Sequence, residues 1–132
     1  MTTQTRPETP IRLLIVDDDP QVRAFLLTVV RAEGYEAESA TGASSAIRMF
    51  ESFMPDVVLT DLVMPEGEGM ELIRYLARHA NKPEIIAMSG NPTGKLFLHA
   101  SQLLGARAVL QKPFHPNELQ TLLCSLARVD RA

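Results

Sequence analysis

The chain has 132 residues, 45% hydrophobic and 22% charged, enough for one buried core and too few for a second folded domain beside it. Its formal net charge of −3 gives no reason to expect direct nucleic-acid binding, which starts from clustered Lys and Arg. A single cysteine, Cys124, excludes an intramolecular disulfide, and there is neither a signal-peptide pattern nor an apolar run near the roughly 18 residues of a membrane span, so a cytoplasmic protein without membrane insertion is expected.

Residues 1–10 are polar, carry two prolines and show no period, which predicts a flexible tail before one domain over 11–129, with 130–132 trailing it. The first strand is predicted at 11–16. A helix follows, with Pro20 in its first turn and Val22, Phe25 or Leu26, Val29 and Val30 on one face. The second strand, 35–40, alternates and carries two glutamates, which suits an exposed edge. Ala43, Ala46, Ile47 and Phe50 mark the next helix; a strand follows at 56–60, and Val57–Leu59 within it, like Leu13–Val16, is continuously apolar and suits the centre of a sheet. Ile73, Leu76, Ala77 and Ala80 mark a third helix before a strand at 84–88. Segment 93–106 contains one formal charge, Lys95, and is more apolar than a one-faced helix requires, so it is either covered by neighbours or a partner surface. A strand at 107–111 and a helix opened by His115-Pro116, with Leu119, Leu122, Leu123 and Leu126 on its apolar face, complete the chain.

Strict alternation of strands and helices, with connections too long for hairpins, predicts an α/β fold: a doubly wound five-stranded parallel sheet with helices on both faces. An edge position for the second strand fits the flavodoxin-like order 2-1-3-4-5. In such a sheet all carboxyl ends share one rim, where ligands bind. The first strand ends in Asp17, Asp18 and Asp19, the third in Asp61, the fourth in Ser89 and the fifth in Lys112.

Three neighbouring carboxylates repel one another, so the cluster makes sense only if a cation sits among them or one acid stays protonated. Mg²⁺ suits such a cluster because it takes one or two carboxylates together with phosphate oxygens and waters. Asp61 is the nucleophile candidate, since carboxylates form aspartyl phosphates and a buried strand would hold it rigidly for in-line attack. Lys112 can neutralise charge on a transferring phosphoryl group, and the Ser89 hydroxyl can donate to the same oxygens. Asp19, directly before Pro20, reads as a helix N-cap rather than a ligand. His79, His99 and His115 share no metal-ligand spacing and read as surface or capping residues.

Leu14-Ile-Val-Asp-Asp-Asp-Pro20, Leu59-Thr-Asp-Leu-Val-Met-Pro65, Ala87-Met-Ser-Gly90 and Gln111-Lys-Pro-Phe114 together resemble the receiver domains of two-component response regulators. The resemblance implies that Asp18 and Asp61 bind Mg²⁺, for which Mn²⁺ can substitute, with the backbone carbonyl of Val63 as a third ligand and Asp17 acting largely through a bound water. It implies phosphorylation of Asp61 by a histidine kinase or histidine phosphotransfer protein, with Ser89 as switch hydroxyl, Lys112 as phosphate partner and a cis Lys112-Pro113 bond. It further implies a protein that assists its own phosphorylation and dephosphorylation without being a conventional enzyme. A downstream partner would read the face formed by helix 94–104 and strand 107–111.

Two features depart from the resembled pattern. Val109 stands where many receivers carry Tyr or Phe, so no ring is present to turn inward when the switch hydroxyl moves. The Glu66-Gly-Glu-Gly69 loop is glycine-rich, which predicts a mobile segment beside the site before metal binds. Two alternatives remain at this stage: an interaction module of the same fold that takes no phosphate, and an aspartyl-nucleophile phosphohydrolase. The second would ordinarily need an acid at position 63, which is Val63 here. Residues beyond Phe114 suffice for one helix and a short tail, so a protein working through partners, or a piece of a longer one, is expected.

Overall fold

The computed structural model describes residues 10–62, 64, 68–90, 99–102 and 104–131. Five strands alternate with helices: β1 (Arg12–Val16), α1 (Pro20–Ala32), β2 (Glu36–Ala40), α2 (Ala43–Phe53), β3 (Val57–Asp61), α3 (Glu68–Ala77), β4 (Glu84–Ser89), β5 (Ala108–Gln111) and α4 (Pro116–Arg131). Residues 99–102 are also helical. The rest of the expected 94–104 helix, apart from residue 104, and the tail at 1–9 lie outside the described residues. The last helix runs past the expected boundary at 129, within the usual spread of a helix end.

All neighbouring strands pair in parallel, in the order β2-β1-β3-β4-β5, which is the predicted 2-1-3-4-5. The register brings Val16 beside Thr60, Asp61 beside Met88, and Ser89 beside Gln111, so the polar residues that end these strands meet at one rim. Alternation along each strand then divides the core. Leu14, Val16, Val58, Ile85 and Ala87 face Phe50 of α2 and Leu72, Ile73 and Leu76 of α3. Leu13, Ile15, Val57, Leu59 and Ile86 face Leu26 and Val30 of α1 and Leu119, Leu123 and Leu126 of α4. Each of the Val, Leu, Ile and Phe side chains among them, when fully buried, contributes about 1.5–3 kcal/mol before entropy is counted.

Local signals set the helix ends. Asp19 caps α1 by accepting from the Gln21 N–H at 2.9 Å, with Pro20 at the first position. The helix stops at Gly34, whose φ of 96° is costly for any residue with a Cβ. His115 Nδ1 accepts from the Asn117 N–H at 3.1 Å while Glu118 Oε1 accepts from the His115 N–H at 2.8 Å, a reciprocal pattern like a capping box at the start of α4.

One open choice on the helix faces is resolved and one expectation is corrected. Leu26 is buried and Phe25 is 51% exposed, so the inward stripe of α1 runs through Val22, Leu26 and Val30. Ala80 is not on the core face of α3, which ends at Ala77; Leu72 is buried there. The 3.6-residue period leaves neighbouring positions ambiguous until a helix is docked. No helix among the described residues is long and apolar enough to cross a membrane.

Candidate functional site

The rim is built from the backbone upward. Val16 is the last paired residue of β1, and the Asp17 N–H still donates to the Ala40 carbonyl at 3.2 Å, so Asp17 leaves the sheet with its backbone held. Asp61 ends the fully buried β3. Its carbonyl accepts from the Thr60 hydroxyl at 3.0 Å, and the next N–H, on Leu62, donates to the Met88 carbonyl at 2.9 Å. The Asp61 main chain is therefore tethered on both sides.

Gly69 supports the same point from α3. A Cβ there would lie 2.5 Å from the Leu62 carbonyl oxygen and 2.8 Å from that of Asp61, backbone atoms that cannot give way. The first turn of α3 thus packs directly on the backbone of Asp61 and Leu62. Sequence reasoning took this glycine as a source of mobility and missed its role, which is close approach. Glu66 and Gly67 lie outside the described residues.

The side chains converge as the strand tips predicted. Carboxylate oxygens of Asp17, Asp18 and Asp61 all lie within 4.8 Å of one another; Asp17 and Asp61 are buried and Asp18 is exposed. Lys112 Nζ reaches Asp17 Oδ2 at 2.9 Å and Asp61 Oδ2 at 3.6 Å. The other Asp17 oxygen accepts from the Asp19 N–H at 2.9 Å, so both oxygens of Asp17 already hold protein donors. Arg23 donates to the Asp17 backbone carbonyl at 2.8 Å. Burial pulls the Lys112 pKa down, but the hydrogen bond to Asp17 and the charges of Asp61 and Asp17 outweigh it, leaving the ammonium above its ordinary range.

One ammonium against three carboxylates leaves a surplus of negative charge on hard oxygen donors. That donor set fits Mg²⁺ or Mn²⁺ and does not fit a soft metal, which would call for thiolate or imidazole. Val63, whose carbonyl was an expected third ligand, lies outside the described residues. Ser89 is fully buried at the tip of β4, and its carbonyl accepts from the Lys112 N–H at 2.9 Å. The Lys112-Pro113 bond is cis. Val109, half-buried on β5, packs against the core cluster on the α2 and α3 side. Beside the acids, an apolar cleft of about 530 Å³ opens between Val22 and Phe25 of α1 and Lys112, Phe114 and Gly90.

A doubly wound parallel sheet with an acid cluster and a paired lysine at its carboxyl rim defines the class: an α/β protein with charged residues gathered at its strand tips. The family model described as the response regulator receiver domain matches residues 13–123, and the chain belongs to that family. Receiver domains typically bind Mg²⁺ through acidic residues and are generally not conventional enzymes.

Protein Rrf1 of Nitratidesulfovibrio vulgaris is 31% identical over 123 residues, covering 93% of this chain and 83% of Rrf1. Regulatory protein AtoC of Escherichia coli is 32% identical over 112 residues, covering 85% of this chain and 24% of AtoC. The DNA-binding response regulator MtrA of Mycolicibacterium smegmatis is 32% identical over 108 residues, covering 82% of this chain and 46% of MtrA. The chain thus spans less than half the length of those last two relatives. Among solved structures, a CheY-like receiver domain from Methanospirillum hungatei superposes with a TM-score of 0.81 at 28% identity, covering 89% of this chain and 93% of that one. A signal receiver domain from Bermanella marisrubri gives 0.81 at 30% identity, covering 90% and 99%.

Proposed function

We propose that this receiver accepts a phosphoryl group on Asp61 from the phosphohistidine of a histidine kinase or phosphotransfer protein in a Mg²⁺-dependent reaction. The observation that carries this reading is the approach of Asp17, Asp18 and Asp61 to within 4.8 Å, with Lys112 Nζ reaching both buried members. Asp18 and Asp61 would hold the metal directly, together with the Val63 carbonyl. Asp17 would act through a water, in keeping with the protein donors already on its two oxygens. The bound ion would supply positive charge against the phosphoryl oxygens.

The chain's own residues do the rest. An Asp61 carboxylate oxygen attacks phosphorus, forming a P–O bond as the P–N bond to imidazole breaks and its electron pair returns to the ring nitrogen. The tethered Asp61 backbone limits the motion that would spoil in-line geometry. Lys112 turns its ammonium towards the phosphoryl oxygens, and the Ser89 hydroxyl donates to them, drawing its loop inward. Hydrolysis reverses the mark: water attacks phosphorus, the bond to Asp61 breaks and inorganic phosphate leaves. The protein acts in the cytoplasm as a switch rather than as a conventional enzyme, and a downstream protein reads the face formed by segment 94–104 and β5. With Val109 in place of an aromatic ring, that face responds through the Ser89 tip rather than through a turning side chain.

The test is labelling with a small phosphodonor, with and without Mg²⁺. Wild type is expected to take up phosphate only with Mg²⁺, and Asp61→Asn at least about a hundredfold less. Equal labelling of both proteins rejects Asp61 as the acceptor.

A further inference from the structure

Asp18 is the exposed member of the acid cluster, so the direction in which its carboxylate projects is set by its backbone rather than by packing. The two peptide groups that flank it are both pinned. The one after it is held by the Asp19 N–H, which donates to Asp17 Oδ1 at 2.9 Å. The one before it is held from α1, where Arg23 Nη1 donates to the Asp17 carbonyl at 2.8 Å. Arg23 also donates through its backbone N–H to the Asp19 carbonyl at 3.0 Å, so one residue grips the turn at two points. Because peptide groups are planar, fixing both of them leaves φ and ψ of Asp18 little freedom. Its side chain then leaves the backbone in one direction, towards the oxygens of Asp17 and Asp61.

Charge argues the other way. The Arg23 guanidinium repels an incoming cation, and for a half-buried group several ångströms off this costs about twofold in affinity. Residues that orient metal ligands are worth about ten- to a hundredfold. Orientation outweighs repulsion, and the two effects have opposite signs when the side chain is removed.

We infer that Arg23 is a positioning residue for the divalent cation: by holding the peptide group between Asp17 and Asp18 it presents the Asp18 carboxylate to the ion. This rests on the Mg²⁺ reading of the rim given above.

The experiment measures two dissociation constants for wild type, Arg23→Met and Arg23→Lys: that of Mg²⁺ from the dependence of urea unfolding on Mg²⁺, and that of Mn²⁺ from water-proton relaxation on the folded protein. Met keeps the apolar stem and removes both donor and charge, whereas Lys keeps a donor and the charge. Arg23→Met is expected to weaken both ions about tenfold and Arg23→Lys about threefold. Equal or tighter binding by Arg23→Met overturns the inference, because loss of charge alone predicts tighter binding. A loss in Arg23→Lys as large as in Arg23→Met overturns it too, since the effect would then lie in how the guanidinium packs and not in its bond to the Asp17 carbonyl. A wild type that binds neither ion sinks the cation site and this inference with it; a wild type that binds both, matched by Arg23→Met, removes the inference alone.

Discussion

At the amino end of the sheet, Arg12 donates to the Phe53 carbonyl at 2.7 Å and through its backbone N–H to Asp56 at 2.9 Å, with Glu36 at 3.6 Å and the Phe53 ring at 5.4 Å. Arg107 faces Glu84 at 3.3 Å on the same end. At the carboxyl end, one ammonium meets three carboxylates held within 4.8 Å. The same strands thus finish in paired charges at one rim and in unbalanced charges at the other. Balanced pairs tie strand ends to loops and help set register. Crowded carboxylates repel one another, and a single ammonium offsets only part of that repulsion, so the carboxyl rim carries surplus negative charge where the amino rim does not.

The largest effect that would test this contrast comes from Lys112→Ala. It removes the only charge seen to ion-pair with Asp17 among the described residues and leaves a buried carboxylate behind, so stability at neutral pH should drop by about 3 kcal/mol in urea unfolding. Labelling of Asp61 should fall about a hundredfold as well. The pH dependence has a definite sign. The Lys112 pKa is raised on folding, so its contribution is fully present below the ordinary lysine range and is lost as pH rises through the raised value. The gap in stability between wild type and Lys112→Met should therefore be flat around neutrality and close only in alkaline solution.

Arg12→Ala at the opposite rim should cost about 1–2 kcal/mol, reduced by its exposure, through loss of the Phe53 carbonyl bond and the ring contact, and should leave labelling unchanged. A marked loss of labelling would show that the two rims are not independent. The smallest effect is of opposite sign. Asp18→Asn, by relieving repulsion at an exposed position, should stabilise the metal-free protein by about 0.5–1 kcal/mol in the same unfolding assay. A destabilised variant would mean that the acids are already compensated.

The rim was legible in the sequence because apolar runs that end abruptly in Asp, Ser and Lys can only meet at one edge once the strands are parallel. Sheet order followed from the polar alternation of β2 and the apolar run Val57–Leu59 of β3. What stayed hidden depends on docking rather than on pattern. Phe25 and Leu26, three and four residues after Val22, both fit the apolar spacing of a helix face, and only contact with the sheet chooses between them. Gly69 acts by leaving space, and a missing side chain carries no signal of what packs over it. The preference of Lys112 for Asp17, 2.9 Å away, over Asp61 at 3.6 Å is set by tip geometry that residue types alone do not encode.

Unfolding free energy measured against Mg²⁺ concentration tests the carboxyl rim most directly. Wild type should gain about 1.4 kcal/mol for each tenfold rise in Mg²⁺ above the dissociation constant, and Asp18→Asn and Asp61→Asn should lose most of that gain. A wild type whose stability does not respond to Mg²⁺, or that responds equally after both substitutions, would contradict a cation site built from these acids.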